Sequence, residues 1–469
     1  MNFKLVMLWT DGMIFMLLAV AIAGACWIRQ RPHLLLPWKR LFKSRIGMVS
    51  LLVLSLFILI GLLDSMHFRV ALPDKNGNGQ TVYATEVLSV FDALVGDLRS
   101  RTEKTYSAPL AVYLYAKESI ETADGKILRD YPRLKHGGAH LTDPQNGQVV
   151  DVIKRSLYGV FSGWLGGVLL SLLIVSYAAA RSRTKVRAWV EARQSTPLNV
   201  MLATMVLLAM LIGLTANLAG AYHVLGTDKV GQDVLYLSLK SIRTGLVIGT
   251  VTTLVMLPFA LFLGIAAGYF RGWMDDVIQY IYTVLSSIPS VLLIAAAVLM
   301  MQVTIEKHAE WFSSSVERAD LRLLFLCLIL GVTSWTGLCR LLRGEALKLR
   351  ELEYIQAAQS FGVSSLRILS RHILPNVMHI VLIAVVMDFS ALVLAEAVLS
   401  YVGVGVDPST NSFGTLINNA RLEMGREPMV WWALAAAFGF MLVLVLAANL
   451  FADAVRDAFD PRLNRTGDA

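Results

Sequence analysis

Nine long apolar runs constrain the fold of this chain more than any other feature of its sequence. A transmembrane α-helix needs about 20 consecutive, mostly apolar residues, with a usual range of about 17–25. The runs lie near residues 13–28, 47–63, 157–180, 198–222, 243–269, 277–301, 321–342, 380–401 and 430–451. The sequence therefore predicts an all-α, polytopic membrane protein.

The composition agrees with a membrane protein and argues against a nucleic-acid-binding one. Charged residues make up only 16% of the chain, whereas ordinary soluble domains carry roughly 25%. The net charge of +8 fits basic loops held at a cytosolic membrane face, and no basic segment is interleaved with aromatic residues. Cys26, Cys327 and Cys339 lie in or beside apolar runs, a pattern that gives no disulfide framework and no metal-ligand spacing.

Two loops concentrate positive charge and predict the orientation of the chain. They carry Arg29, Arg31, Lys39, Arg40, Lys43 and Arg45 after the first run, and Arg181, Arg183, Lys185, Arg187 and Arg193 after the third. Loops rich in Lys and Arg stay in the cytosol, which predicts an N-terminus outside and a C-terminus in the cytosol. The first run lacks a small-residue cleavage site before Arg29, so we interpret it as a retained span.

The chain divides into four parts where its composition changes. Residues 1–63 hold two spans and a basic loop, and residues 64–155 are too polar to enter lipid, which predicts an extracytoplasmic insert of unassigned structure. Residues 156–222 hold two additional spans. Residues 223–469 hold the remaining spans and a polar segment at 343–376, which we call the coupling loop.

The coupling loop is predicted to form two short helices, Glu353–Gln359 and Ser364–His372, separated by a turn at Gly362. Pro375 lacks an N–H group and restricts the residue before it, so we expect it to interrupt the second helix before the next span. A shallow groove of a cytosolic partner would suit its apolar positions, which are Ile355, Ala358, Phe361 and Leu366.

The coupling loop also resembles a known family. Gln356-Ala357-Ala358, Gly362 and Leu374-Pro375 resemble the EAA loop of ABC-importer permeases, with Gln356 in place of the usual Glu. The ending Arg-His-Ile-Leu-Pro-Asn resembles the dipeptide/oligopeptide/nickel branch of that family. This resemblance implies the fold of a type I ABC importer permease, in which Glu353 and the loop residues named above couple the chain to ATPase subunits.

A second motif, which we call the signature loop, comes before the fifth run. It comprises Gly226, Thr227, Asp228, Gly231, Gln232 and Asp233, and it resembles the family's LGTD…GRD signature with Gln232 in place of the usual Arg. We expect Thr227 or Asp228 to cap a helix lying flat on the membrane surface. The role of this helix stays open between a purely structural one and a part in gating or in meeting a solute-binding protein.

Three residues inside apolar runs are candidates for the translocation pathway. Ile288-Pro289 resembles the family's mid-helix Ile-Pro, and its lost backbone bond is expected to kink that span. Asp388 and Glu396 lie eight residues apart, broadly on one side of a helix, and charges in lipid normally face a polar interior. They either line the cavity and favour a positive group of the substrate, or Glu396 only satisfies donors at a helix–helix contact.

Neither ATP binding nor catalysis is expected in this chain. No Gly-x-x-x-x-Gly-Lys-Ser/Thr loop occurs, and the resemblance implies that ATP and Mg bind on partner ATPase subunits. Arg340 and Arg343 are expected to anchor the cytosolic end of a span. His136 and His140 are weak candidates for a metal site, because the two glycines between them break any helical presentation.

Taken together, the resemblance implies a permease subunit of an ATP-driven importer for peptides or similar small solutes in a bacterial cytoplasmic membrane. The partners it implies are a second homologous permease, two cytosolic ATPase subunits, a periplasmic or lipid-anchored solute-binding protein and membrane lipid, without nucleic acid. Three alternatives remain open: an ion-coupled transporter or channel using Asp388 and Glu396, nickel as the substrate, and a non-transporting scaffold whose insert binds a partner.

Overall fold

The computed structural model describes residues 3–72, 83–121, 127–181, 197–308, 310, 312 and 314–459. The predicted cytosolic residues Arg183, Lys185, Arg187 and Arg193 lie outside these described residues. Within them, nine helices are long and apolar enough to cross a membrane, one for each apolar run. This confirms the prediction of an all-α polytopic membrane protein, and the polar segments add short strands and short helices.

The helices and strands have the following bounds in chain order: β1 Phe3–Val6, α1 Trp9–Arg29, α2 Pro32–Leu41, α3 Arg45–Asp64, β2 His67–Val70, β3 Leu88–Ser89, α4 Val90–Leu94, α5 Gly96–Ser100, β4 Glu118–Glu121, β5 Ile127–Asp130, α6 Pro144–Arg181, α7 Leu198–Ala219, α8 Val234–Phe270, α9 Trp273–Ser287, α10 Ser290–Lys307, α11 Ser315–Ser334, α12 Thr336–Arg350, α13 Glu353–Ser360, α14 Ser365–Ile368, α15 Leu374–Tyr401, α16 Phe413–Glu423 and α17 Trp432–Phe459. A single π-helical turn, Leu369–Ile373, joins α14 to α15.

These elements form two compact units. The first comprises Met1–Val6, Leu36–Thr244 and Asn411–Leu450, and the second comprises Met7–Leu35, Gly245–Thr410 and Phe451–Ala469. The long helices α8 and α17 contribute residues to both units. The signature loop belongs to the first unit, whereas the coupling loop and the three pathway candidates belong to the second.

The polar region of the first unit contains two small antiparallel sheets. Strands β1, β2 and β3 form one sheet in that order, and β4 pairs with β5 in the other. In the first sheet Phe3 pairs with Val70, and Leu5 pairs with Phe68. The described residues of the predicted insert therefore include strands, whereas the sequence had left its structure unassigned.

Helices α6 and α7 of the first unit pack closely because glycine recurs at every fourth position of α6, at Gly159, Gly163 and Gly167. A Cβ atom at Gly163 would lie 2.3 Å from the carbonyl oxygen of Ala209 on α7. Small residues at such spacing allow transmembrane helices to approach at backbone distance. The two additional spans are thus packed directly against each other.

A half-buried lysine with two buried carboxylate partners ties the insert to the ends of two spans in the first unit. The Nζ atom of Lys240 on α8 lies 2.8 Å from Asp64 at the end of α3 and 3.0 Å from Asp92 in α4. The Oγ atom of Ser89 donates to Asp64 at 2.6 Å. Because buried charges are costly unless they are paired and hydrogen-bonded, this network fixes the position of α4 on α3 and α8.

The region around Pro289 differs from the prediction. The apolar run near 277–301 was expected to form one kinked span, but α9 ends at Ser287 and α10 begins at Ser290. Ile288 is extended, with φ −83° and ψ 130°. The proline ring disfavours a helical conformation at the preceding residue, so the helix breaks here rather than bends.

The prediction for Pro375 is wrong in the opposite sense. The proline does not interrupt the helix, since the chain passes through the π-helical turn Leu369–Ile373 directly into α15. The wider π turn accommodates an irregularity in the helical ladder. The side-chain amide of Asn376 also donates to the carbonyl of His372 at 2.7 Å, so a side chain satisfies a backbone acceptor beside the proline.

Candidate functional site

The coupling loop of the second unit is held by buried isoleucines. Ile355 of α13 is fully buried in a core that also contains Ile368 and Ile373. The expectation that Ile355 forms part of an exposed groove face is therefore wrong. Ile355 instead anchors a short helix that would not be stable alone, because helices shorter than about 12 residues are marginal in water.

The turn after α13 is a Schellman motif centred on Gly362. Gly362 has φ +72°, its N–H donates to Gln359 O at 2.9 Å, and the N–H of Val363 donates to Ala358 O at 3.1 Å. This pair of bonds satisfies carbonyls that a helix end leaves free, and it requires a left-handed residue. No atom lies within 4 Å of a Cβ built at Gly362, so the requirement is conformational and not steric.

The remaining predicted residues of the coupling loop are arranged around this turn. Glu353, Gln356 and Ala357 are exposed, and Ala358 is half-buried. Leu374 is half-buried at the start of α15, and Pro375 beside it is exposed. Phe361 and Leu366 are 87% and 76% exposed. The structure thus brings these residues together on one short segment, with two large apolar side chains projecting from it.

The end of α8 and the start of α9 support the coupling loop through contacts that sequence reasoning missed. Arg343 was expected to anchor a span end, but both its Nε and Nη2 atoms donate to Asp275, at 2.6 and 2.8 Å. The hydrogen bonds from Arg343 hold the pKa of Asp275 below its usual range, against the opposing effect of burial. Arg350 also donates to Tyr269 O at 2.8 Å. Asp275 and Arg343 are far apart in sequence, so no local pattern indicated their pairing.

The signature loop of the first unit caps its helix differently from the prediction. Asp233, and not Thr227 or Asp228, precedes α8, and its Oδ1 accepts from the N–H of Leu235 at 2.8 Å. The residues predicted to form a helix flat on the membrane instead begin α8, which continues for 37 residues and is long and apolar enough to cross a membrane. Asp228 shapes the loop instead, because its Oδ1 accepts from the N–H groups of Val230 and Gln232.

The insert covers the signature loop. Thr227 is fully buried, its Oγ1 accepts from the N–H of Ser107 at 2.7 Å, and its own N–H donates to Ser107 O at 3.1 Å. A Cβ atom at Gly226 would lie 2.4 Å from Ser107 O, and one at Gly231 would lie 1.9 Å from Glu103 O. Both glycines have positive φ. They are needed because the backbone of the insert passes directly over them.

A buried His joins the insert to the signature loop, in a group that we call the clasp: Glu103, His223 and Asp233. His223 Nδ1 lies 2.7 Å from Asp233, and its Nε2 lies 3.4 Å from Glu103. The side chains of all three are at most 3% exposed. Glu103 also accepts from the backbone N–H groups of residues 135, 136 and 137, so both of its oxygens are bonded.

The contacts within the clasp raise the pKa of His223 and lower the pKa of Glu103. Burial disfavours the charged form of His223, but its hydrogen bonds to Asp233 and Glu103 outweigh burial and raise its pKa to about 9. Burial also works against the charge of Glu103, yet the hydrogen bonds from His223 and three backbone N–H groups lower its pKa to about 2. At neutral pH the clasp therefore pairs a protonated His223 with an ionised Glu103.

The pathway candidates of the second unit differ in their surroundings. Glu396 is 1% exposed and accepts from the Oγ of Ser400, one turn along α15, at 2.7 Å. Asp388 is half-buried, and Pro289 is exposed at the break between α9 and α10. Of the two histidines considered for a metal site, His140 bonds to Asp151 at 2.8 Å. Among the described residues, no group of His, Cys, Asp and Glu is placed to hold a metal ion.

Comparisons with known proteins agree on one family. The family described as "Binding-protein-dependent transport system inner membrane component" matches residues 260–465. The oligopeptide transport system permease protein OppC of Mycobacterium tuberculosis is 32% identical over 242 residues, which are 52% of this chain and 77% of that protein. The glutathione transport system permease protein GsiD of Pectobacterium atrosepticum is 33% identical over 241 residues, 51% of this chain and 73% of that protein.

Among solved structures, a chain of the MetNI methionine ABC transporter in an inward-facing conformation is 15% identical. The similarity covers 48% of this chain and 98% of that chain, with a TM-score of 0.38. The sequence relatives, and not this structural similarity, decide the family. The chain belongs to the ABC-importer permeases, the inner membrane components of binding-protein-dependent transport systems.

Proposed function

We propose that this chain is the membrane-spanning permease subunit of an ATP-driven importer for di- and oligopeptides or similar small solutes. Relatives named for oligopeptide, dipeptide and glutathione transport support a peptide substrate. The importer would contain a second homologous permease, two cytosolic subunits that bind ATP and Mg, and a periplasmic or lipid-anchored solute-binding protein. This chain would supply the passage, and the ATPase subunits would supply the energy.

The N-terminus is proposed to lie outside the bacterial cytoplasmic membrane, with the C-terminus in the cytosol. The pairing of β1 with β2 supports one part of this assignment, namely that the N-terminus and the insert share one side of the membrane. Two spans, α1 and α3, separate these strands in the chain, so the N-terminus and the insert lie on one side of the membrane. Lys39, Arg40 and Lys43 fall between the two spans and favour the cytosol for the opposite side.

The main support for the proposal is the way in which the exposed part of the coupling loop is attached to the rest of the second unit. Its short helix α13 is exposed, but Ile355 and the Gly362 turn fix it to the membrane domain. An exposed helix with a rigid attachment suits the transfer of a mechanical displacement, because a push on it moves the helices whose side chains surround Ile355. ATP-driven closure of the ATPase subunits would push α13 and so change the opening of the passage.

Asp388, Glu396 and the break at Pro289 are proposed to line the passage. Non-helical backbone at membrane depth is tolerated only where it is buried in protein or lines an aqueous cavity, which favours such a position for Pro289. Asp388→Asn and Glu396→Gln test the two carboxylates separately. Unchanged uptake at normal expression would remove the corresponding residue from the passage.

The decisive experiment is co-purification of the tagged protein with its ATPase subunits, combined with peptide uptake, for the Gly362→Val variant. Valine at φ +72° is strained by at least about 1–2 kcal/mol, so we expect a displaced α13, lost uptake and weakened ATPase association, with normal membrane insertion. Gly439→Val is the control, since Gly439 lies within the spanning helix α17, outside the coupling loop, and has open space around it. Normal ATPase association and uptake in Gly362→Val would contradict the proposed coupling.

A further inference from the structure

The sheet formed by β1, β2 and β3 has one entirely apolar face. Directly paired residues of neighbouring antiparallel strands project on the same side. The register therefore places the side chains of five residues on one face: Phe3, Leu5, Phe68, Val70 and Leu88. No charged or polar residue of the three strands shares this face.

The apolar face points away from the rest of the first unit. Phe3 is 61% exposed, Leu5 is 74% exposed and Val70 is 38% exposed. The rings of Phe3 and Phe68 contact each other edge to face, with centroids 6.2 Å apart. An exposed cluster of large apolar side chains on a small sheet marks a surface that is covered in the working protein.

The opposite face of the same sheet carries four polar residues and one apolar residue, namely Lys4, His67, Arg69, Ser89 and Val6. Over β2 and β3 this face is turned towards the protein, whereas Lys4 on the edge strand β1 is exposed. His67 and Ser89 are paired across β2 and β3 and are buried, and Ser89 donates to the buried Asp64 at 2.6 Å. A sheet on the surface of a water-soluble protein has the reverse arrangement, with apolar residues inside and polar residues outside. This inverted arrangement is expected where the outer environment is itself apolar.

The position of the sheet identifies that environment. Only Ser65 and Met66 separate the end of the spanning helix α3 from the start of β2. Leu59 on the last turns of α3 and Met66 are both exposed apolar residues, so the apolar surface of the span continues onto the sheet. We propose that this face lies in the headgroup and acyl boundary of the bilayer, where it anchors the insert to the membrane surface.

This proposal does not depend on the transported substrate, and site-directed spin labelling in liposomes tests it. Leu5→Cys and Val70→Cys would be made in a full-length background in which the three native cysteines are alanine. Each would be labelled with a nitroxide in vesicles of phosphatidylethanolamine and phosphatidylglycerol. Collision with O2, which concentrates in lipid, would be compared with collision with a water-soluble nickel chelate.

The matched control is Lys4→Cys, because Lys4 is exposed on the other face of the same strand. We expect the ratio of O2 to nickel-chelate collision to be several-fold higher at Leu5 and Val70 than at Lys4. An equal, water-like ratio at all three positions would overturn the proposal. Low collision with both reagents at Leu5 and Val70 would also overturn it, because protein and not lipid would then cover the face.

Discussion

The signature loop and the coupling loop both carry family motifs built around a positive-φ glycine, but the structure treats them in opposite ways. In the signature loop, Gly231 lies beneath the backbone of the insert, and a Cβ atom there would meet Glu103 O at 1.9 Å. In the coupling loop, Gly362 has a similar φ and open space on all sides. Glycine is therefore needed in the signature loop because a larger residue has no space there. In the coupling loop it is needed only because the backbone has a positive φ.

This difference indicates that the signature loop is part of the folded interior, whereas the coupling loop is accessible to a binding partner. The insert already occupies the signature loop, so Thr227 and Asp233 are buried and use their polar atoms within the chain. The coupling loop keeps two large apolar side chains exposed, those of Phe361 and Leu366. A partner that approaches the covered loop would meet the insert first, whereas a partner of the coupling loop would contact the motif itself.

The largest difference in stability between the two loops is expected when each of these glycines is replaced by alanine. In Gly231→Ala the methyl group has no space against the backbone of Glu103, so we expect a loss above about 4 kcal/mol and failure of the insert to fold. In Gly362→Ala only the positive φ is strained, at a cost of about 1–2 kcal/mol. Protein level in the membrane and limited proteolysis of the insert would measure both. Equal losses would show that the steric difference between the loops has no consequence.

Glu103→Gln should give the next largest effect, because it removes one negative partner of the buried His223. Breaking a buried charge pair costs about 3–5 kcal/mol, and here the cost should appear as release of the insert from the signature loop. Faster protease cleavage within residues 83–121 would report that release. Glu86→Gln is the control, since the exposed pair of Glu86 with Arg99 should contribute less than about 1 kcal/mol. Similar cleavage in both variants would contradict the clasp.

The clasp should also make the stability of the insert depend on pH. The pKa of His223 is raised from its usual 6.5 to about 9, so its charge stabilises the fold fully below pH 6.5, and this contribution is lost as pH rises through 9. The loss should approach about 3 kcal/mol. Thermal unfolding followed between pH 6 and 10 would show a falling midpoint, and His223→Gln should flatten this dependence. An unchanged slope in His223→Gln would assign the pH effect to other groups.

Much of the fold follows from local sequence, because a span needs only a sufficiently long apolar run. The runs near residues 47–63 and 198–222 became α3 and α7 with small changes of bounds. The prolines were harder to predict. Pro289 breaks its helix and Pro375 does not, because the outcome depends on how the surrounding structure satisfies the freed backbone groups.

The long-range contacts that shape the two loops could not be predicted from the sequence, whereas a local turn could. The glycine turn at Gly362 follows from local rules, because the Schellman motif involves adjacent residues. Glu103 and His223 are 120 residues apart, and a polar insert alone does not indicate which of its carboxylates is buried. The capping role of Asp233 was likewise missed, since the sequence favours Thr227 or Asp228 as the cap, whereas Asp233 accepts from Leu235 and also contacts His223.

The smallest effect on stability should come from Phe361→Ala, which tests binding of the ATPase subunits separately from folding. Phe361 is 87% exposed, and truncating such a side chain should change stability by less than about 0.5 kcal/mol. If the coupling loop is the contact for the ATPase subunits, the same change removes a large apolar anchor from that interface, where such residues contribute most of the binding energy. The amount of ATPase that co-purifies with the tagged chain should therefore fall while thermal stability does not.

Phe262→Ala is the matched control, because Phe262 is 79% exposed on the spanning helix α8 and undergoes the same change in size. It should retain both stability and ATPase. Full retention of ATPase in Phe361→Ala would exclude this side chain as an anchor of the interface. A loss of stability as large as that of Glu103→Gln would instead remove the contrast between an exposed and a covered loop, since Phe361 would then belong to the fold.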